Sequence, residues 1–184
     1  PLLRPANNIT ETIQERLTCL QRPVIDLYQI HQPTSISSLQ KQIERMAGLV
    51  EQGIIKAVGV SNFSANGMRK ADKLLKQYGL RLASNQVKYN LLHRNPERNG
   101  VIEAAKELGI SIIAYSPLQQ GVLTGRFHNN PESVSSISRL RRLHSNISSK
   151  SLKRTKPLID ILCKIGNYYG KTPAQISFNW LIYS

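Results

Sequence analysis

Apolar and polar positions along this chain alternate between two rhythms. Four short runs, Val24 to His31, Ile54 to Val60, Leu82 to Val87 and Ile110 to Tyr115, start about 28 to 30 residues apart. Their length and their content of β-branched and aromatic residues predict strands. Between them the period becomes helical. Leu39, Ile43, Met46 and Val50 draw one apolar stripe. Ser64 stands where it caps a second helix carrying Met68, Ala71, Leu74 and Leu75. A third is predicted to open at Asn95 and Pro96 and to run through Val101, Ala104, Ala105 and Leu108. Proline is harmless in the first turn, where its missing N–H has no intrahelical partner to lose. Gly53, Gly79 and Gly109 fall where each helix must stop and turn back. Strand, helix, strand at a regular period indicates a parallel sheet with right-handed crossovers.

Before the first strand, Asn8-Ile9-Thr10-Glu11 resembles a capping box, with Ile13, Leu17 and Leu20 following on one face, so a helix is expected there. Residues 124 to 151 lose periodicity and hold eight serines between Ser133 and Ser151, which predicts a long loop. Leu158, Ile161, Leu162 and Ile165 mark a further helix, and Thr172-Pro173 starts another that holds Ile176, Trp180 and Leu181. A complete (β/α)8 barrel takes about 250 residues. The 184 residues here therefore fit either an open sheet of four strands or part of a barrel.

Composition narrows the class. At 40% hydrophobic and 20% charged residues the chain has the make-up of one globular domain rather than a disordered or fibrous one. No stretch approaches the roughly 18 apolar residues of a membrane-spanning helix, and Pro1-Leu2-Leu3-Arg4-Pro5 has no signal-peptide character. A cytoplasmic protein with no membrane association is expected. Cys19 and Cys163, far apart and without neighbouring His or Cys, read as buried, inert thiols rather than a disulfide or a zinc site. The charge is unusual: 25 Lys and Arg against 11 Asp and Glu give +14. Ten of the basic residues lie between Arg126 and Lys171, opposed only by Glu132 and Asp160. Such a cluster either solubilises a surface or attracts phosphate-bearing partners of any size. A nucleic-acid binder has no further support, since neither a groove-reading motif nor a regular alternation of aromatic and basic residues is present.

Polar residues gather at the carboxyl ends of the four predicted strands: His31, Ser61-Asn62, Asn85-Gln86 and Tyr115-Ser116. α/β folds place their sites there. Each has a plainer reading, His31 as a satisfied core histidine and Asn62 and Gln86 as ties between strand ends. Together, the hydroxyl and amide groups suit a neutral polar ligand such as a carboxamide, and Tyr115 suits stacking on a planar ring.

Four ordered motifs then resemble those of the aldo-keto reductase family. They are Asp26-Leu27-Tyr28-Gln29-Ile30-His31, Lys56-Ala57-Val58-Gly59-Val60-Ser61-Asn62-Phe63, Ser84-Asn85-Gln86-Val87-Lys88-Tyr89-Asn90, and the stretch from Ala114-Tyr115-Ser116-Pro117-Leu118 to Leu123-Thr124-Gly125-Arg126. The last is most similar to the bacterial and plant branch related to potassium-channel β subunits. The resemblance implies a partial (β/α)8 TIM barrel of about four parallel strands with outer helices. It implies one incomplete domain over residues 1–184, comprising barrel units four to seven and the start of a closing helix, cut at both ends. The implied function is NADP(H)-dependent reduction of aldehydes or ketones, with NADPH and a small carbonyl substrate as partners and no implication for oligomeric state.

Carried over by resemblance, His31 orients and polarises the substrate carbonyl, while Ser61, Asn62 and Gln86 hold the nicotinamide carboxamide. Tyr115 stacks on the nicotinamide ring, and Ser116, Pro117, Leu118 and Gly121 surround the pyrophosphate. Arg126 stands where this branch usually has a lysine near the phosphates, and Arg can bind phosphate bidentately where Lys cannot. One or more of Arg126, Arg139, Arg141 and Arg142 is expected to close over those phosphates. None of the seven tyrosines matches the family's general acid, so negligible turnover is expected of these residues alone. The competing function is a non-catalytic nucleotide-binding interaction or regulatory protein on the same fold.

Overall fold

The computed structural model describes residues 5–134, 137–138 and 147–184. Four strands, β1 (Ile25–Ile30), β2 (Ile55–Ser61), β3 (Leu82–Lys88) and β4 (Ser111–Tyr115), form one parallel sheet in chain order. All four match the predicted runs to within a residue or two at each end. Helices α3 (Leu39–Glu51), α4 (Ala65–Lys76) and α6 (Val101–Leu108) supply the crossovers. By packing, the chain divides into two compact units, Pro1–Val87 with Asn95–Ile113, and Lys88–Arg94 with Ala114–Ser184. No described helix is long and apolar enough to cross a membrane.

In the first unit the middle of each predicted stripe is core. Ile43 and Met46 of α3, Met68, Ala71 and Leu75 of α4, and Val101, Ala104 and Ala105 of α6 are buried, while Leu39, Val50, Leu74 and Leu108 are half-buried. Ala47 and Leu49 join the buried face of α3, and Ile55, Val58 and Val60 of β2 join the core. Ser64 caps α4 by accepting the Gly67 N–H at 3.2 Å. Gly53, Gly79 and Gly109 take left-handed backbone at φ 69°, 71° and 65°, where a glycine has no Cβ to strain.

Three expectations are corrected. The opening helix is broken at Thr12 into α1 (Asn7–Glu11) and α2 (Ile13–Leu20), and Asn8 lies inside α1 rather than capping it. The N-cap is Ala6, whose N–H donates to Ser37 Oγ at 2.8 Å. The break has a local cause: the Thr12 hydroxyl donates back to the Asn8 carbonyl and also receives Arg16. Cys19 is exposed, because the buried face of α2 is Ile13 and Leu17. The third helix is two, α5 (Asn95–Arg98) and α6, because Gly100 turns left-handed at φ 79° and Asn99 Oδ1 accepts the Val101 N–H.

Beneath the first unit lies one buried carboxylate. Asp72 of α4 is 1% exposed and accepts from Leu82 N–H at 3.1 Å, Arg81 Nε at 3.2 Å and Lys76 Nζ at 2.8 Å. Burial alone would push its carboxyl up. Lys76, the Leu82 N–H and Arg81 outweigh that and hold it below the usual carboxylate value. A depressed folded value means that Asp72 stabilises the fold above its unfolded value near 3.8, and that the contribution is lost as pH falls through the folded value. Both cations are more than half exposed, so the bond to the start of β3 matters most. Asp72→Asn is expected to cost about 1–3 kcal/mol at pH 7. The gap from the parent should narrow in urea unfolding below about pH 4, since protonation removes the same charge from the parent.

In the second unit a single-turn helix, α7 (Arg126–Asn129), and the long α8 (Ser149–Tyr169) and α9 (Pro173–Ile182) enclose two apolar clusters. One joins Val122, Phe127 and Ile147, the other Leu123, Ile159 and Leu162. Ser148 and Thr172 each head a reciprocal capping box. The long loop expected from residue 124 is thus partly helical, and α8 starts at Ser149, well before its apolar stripe.

Candidate functional site

At the carboxyl ends of β2 and β3, three residues singled out from the sequence come together. Ser61 and Gln86 are register partners across the two strands. The Gln86 carbonyl accepts from Asn62 N–H at 2.9 Å and from Ser61 Oγ at 3.0 Å, while Asn62 Nδ2 donates to Ser61 Oγ at 3.1 Å. Among the described residues no hydrogen bond engages the Gln86 side-chain amide. Asn62 therefore does tie strand ends, through its main chain.

The backbone here is strained. Asn62 sits at φ 60°, a left-handed conformation that costs a non-glycine residue roughly 1–2 kcal/mol. It is held from the next residue. Asn85, 0% exposed, donates Nδ2 to the Phe63 carbonyl at 3.0 Å and accepts the Phe63 N–H at 3.4 Å.

His31 follows β1 and is exposed, which removes the core-histidine reading. It borders an open cleft of about 220 Å³ that Arg16, Tyr28, Gln29 and Gln42 also line. Burial pushes the Tyr28 phenol above its ordinary value, against the opposing pull of the Arg16 guanidinium, which lies 5.9 Å from the ring centroid. A tyrosine shifted upward is tuned away from proton donation near neutral pH.

In the second unit, half-buried Tyr115 ends β4 and leads into a loop of unusual backbone. Ser116, Gln119, Gln120, Gly121 and Gly125 have φ of 53°, 47°, 56°, 96° and 78°. The loop closes on itself through Gln119 N–H to Ser116 O at 2.9 Å and Gly121 N–H to Leu118 O at 3.0 Å, with Pro117 between them. The Gln119 and Gly121 N–H groups are thus engaged inside the loop, which forms a tight left-handed turn. Arg126 is exposed beside it, its guanidinium 5.8 Å from the Phe127 ring centroid, and lines one depression with Gly121 and Thr124. Arg139, Arg141 and Arg142 lie outside the described residues. Among the described residues no group of three or more His, Cys, Asp or Glu side chains is placed to hold a metal ion.

Sequence reasoning missed the hold on each strained segment. Asn85 was visible only as a polar residue near a strand end, and Asn90 only as the last residue of a motif. Asn90 is 1% exposed and donates to the Ser116 carbonyl at 2.8 Å. Asn85, between Ser84 and Gln86, carries no local signal; Asn90, flanked by Tyr89 and Leu91, offers a weak one, because a polar group buried among apolar neighbours must find partners.

A family model described as the aldo/keto reductase family matches residues 4–184. The chain belongs to the aldo/keto reductase family. Among aldo/keto reductases and related oxidoreductases, it is 38% identical over 165 residues to an uncharacterized oxidoreductase of Mycobacterium tuberculosis, a match covering 89% of this chain and 48% of that one. It is 33% identical over 166 residues to the chloroplastic pyridoxal reductase of Arabidopsis thaliana, covering 89% and 44%. A crystallised thermostable aldo-keto reductase, in complex with the inhibitor epalrestat, superposes with a TM-score of 0.71 at 28% identity, covering 97% of this chain and 53% of that one. The chain spans about half the length of the relatives it matches. Its four strands and surrounding helices correspond to part of the aldo/keto reductase TIM barrel.

Proposed function

We propose that the protein is an NADP(H)-dependent oxidoreductase that reduces aldehydes or ketones to alcohols. One observation carries the reading: Ser61, Asn62 and Gln86 are locked together at the carboxyl end of the sheet with the Gln86 amide unengaged among the described residues. The donor set fits a nicotinamide carboxamide. That group offers an acceptor oxygen and two N–H donors, and a side-chain amide supplies both complements. In the second unit, taken by itself, the Tyr115 ring face suits an aromatic ring and the positive charge of Arg126 suits phosphates. NADPH, when bound, supplies the hydride.

His31 borders the cleft of the first unit, where its ring N–H is available to donate to a carbonyl oxygen and so to orient and polarise it. The other polar groups of that cleft suit a small carbonyl substrate, and the name of the Arabidopsis relative, a pyridoxal reductase, agrees with an aldehyde. No described tyrosine is assigned the proton donor's role.

Titration of the full chain with NADPH, followed by cofactor fluorescence, tests the reading. Gln86→Ala is expected to weaken binding about tenfold, the effect of roughly one lost hydrogen bond to a desolvated partner. Arg126→Ala is expected to weaken it more at low salt than at high salt, as a phosphate contact should. Equal affinity in the parent and Gln86→Ala would overturn the carboxamide assignment. These residues alone are expected to turn over negligibly for want of an assigned proton donor, and NADPH oxidation by this chain with a simple aldehyde at about 1 per second or more would overturn that.

A further inference from the structure

We infer that Asn90 is a positioning residue: its buried side chain sets the conformation of the loop that follows β4, and through that loop the affinity for the cofactor. The inference rests on the reading that residues 116–121 face the cofactor phosphates. Asn90 itself touches only protein.

Its amide has a single possible orientation. Two residues beyond β3, Asn90 opens a tight turn closed by His93 N–H to Asn90 O at 2.8 Å and Asn90 N–H to His93 O at 3.3 Å. Its Oδ1 accepts the Leu92 N–H inside the same turn at 2.9 Å. Only Nδ2 is left to reach outward, and it donates to the Ser116 carbonyl at 2.8 Å and to Gln119 Oε1 at 3.0 Å. On one side stands a main-chain N–H that can only donate, and on the other a carbonyl that can only accept. Flipping the amide would oppose like groups on both sides.

What the amide holds is the strained part of the chain. Ser116 and Gln119 are both left-handed non-glycine residues, and the Gln119 N–H also donates to the Ser116 carbonyl. One side chain thus grips the entry to the loop and its middle. At 1% exposure no water competes for these bonds. A loop with three left-handed non-glycine residues in five would relax without such a hold, and the placement of residues 116–121 would no longer be fixed.

Asn90→Asp, in the full chain, keeps shape and the acceptor for Leu92 while replacing both outward N–H donors with a carboxylate oxygen. Hydrogen exchange across residues 116–121 is expected to speed up at least tenfold, with NADPH affinity falling about tenfold. In a Ser116→Gly background, where left-handed backbone carries no Cβ strain, the same substitution should change both much less. A residue that merely stabilised the fold would show no such dependence on position 116. Should Asn90→Asp fail to fold, Gln119→Leu removes one of the two outward bonds from the loop side, and the same two readouts decide. Unchanged exchange, faster exchange with unchanged NADPH affinity, or equal effects in both backgrounds would overturn the inference. A parent that does not bind NADPH would instead refute the cofactor reading, and with it the proposed consequence, while the exchange data still report whether Asn90 holds the loop.

Discussion

Gly59→Val is expected to lower the unfolding free energy by about 3 kcal/mol, at the upper end of what overpacking a strand interior costs. Gly59 lies mid-strand in β2, level with Gln29 on one side and Ser84 on the other. A Cβ there would come within 2.4 Å of Ser84 Oγ, 2.9 Å of Gln29 Cγ and 3.2 Å of Leu27 Cδ1. Gln29 cannot simply swing away, because its Nε2 donates to the Val60 carbonyl at 3.2 Å and to Ser84 Oγ at 3.3 Å. Valine brings better strand propensity and removes glycine's entropy penalty, together worth up to about 1–2 kcal/mol in its favour. The steric loss must therefore exceed the net value. Because Ser61 is two residues further on the same face, NADPH affinity should fall with stability. Urea unfolding would decide: a loss below about 1 kcal/mol would mean that the Gln29 and Ser84 side chains repack freely.

Gly166→Ala sets two effects of opposite sign against each other. In the body of α8, helix propensity alone makes alanine the better residue by about 1 kcal/mol. The tertiary structure reverses this. A Cβ on Gly166 would stand 2.3 Å from the Lys171 carbonyl oxygen, a main-chain atom that no rotamer change can move. Nor can the turn retreat cheaply: Lys171 N–H donates to Gly166 O at 2.7 Å, and Thr172 immediately begins the capping box of α9. A net loss of about 3 kcal/mol is expected. Thermal unfolding gives the sign directly, since a raised midpoint would mean that the turn between α8 and α9 yields.

The sequence made the four strands and three crossover helices legible because each buries one regular stripe, and burial is what hydrophobic spacing records. It failed where local hydrogen bonds overrule spacing. Thr12 bonds back to Asn8 and breaks a helix whose apolar positions run straight through the break. Asn99 and Gly100 restart α6 inside what reads as a single stripe. For the candidate site, the identities of Ser61, Asn62, Gln86 and Ser116 were visible, whereas the left-handed backbone at Asn62 and Ser116 was not. Glycine announces such a conformation and asparagine only hints at it, while serine does neither. The partners that hold those residues, Asn85 and Asn90, lie 22 and 26 positions from the groups they grip at Phe63 and Ser116. No local pattern encodes such pairs.

The pairing of β2 with β3 contains one irregularity: Val58 lies opposite Leu82, and Gly59 opposite Ser84, which leaves Ala83 as an extra residue. Leu82 and Gln86, four apart, would share a face in a regular strand; across this bulge they point to opposite faces. Chain length and side-chain facing are thereby uncoupled at one position. Losing Ala83 would leave every downstream residue on its present side, and losing Ser84 would let Ala83 take its place, whereas losing Asn85 or Gln86 would transpose part of the carboxyl end, turning core groups toward the site or site groups toward the helices. For indels within this strand, Ala83 is the natural point of tolerance.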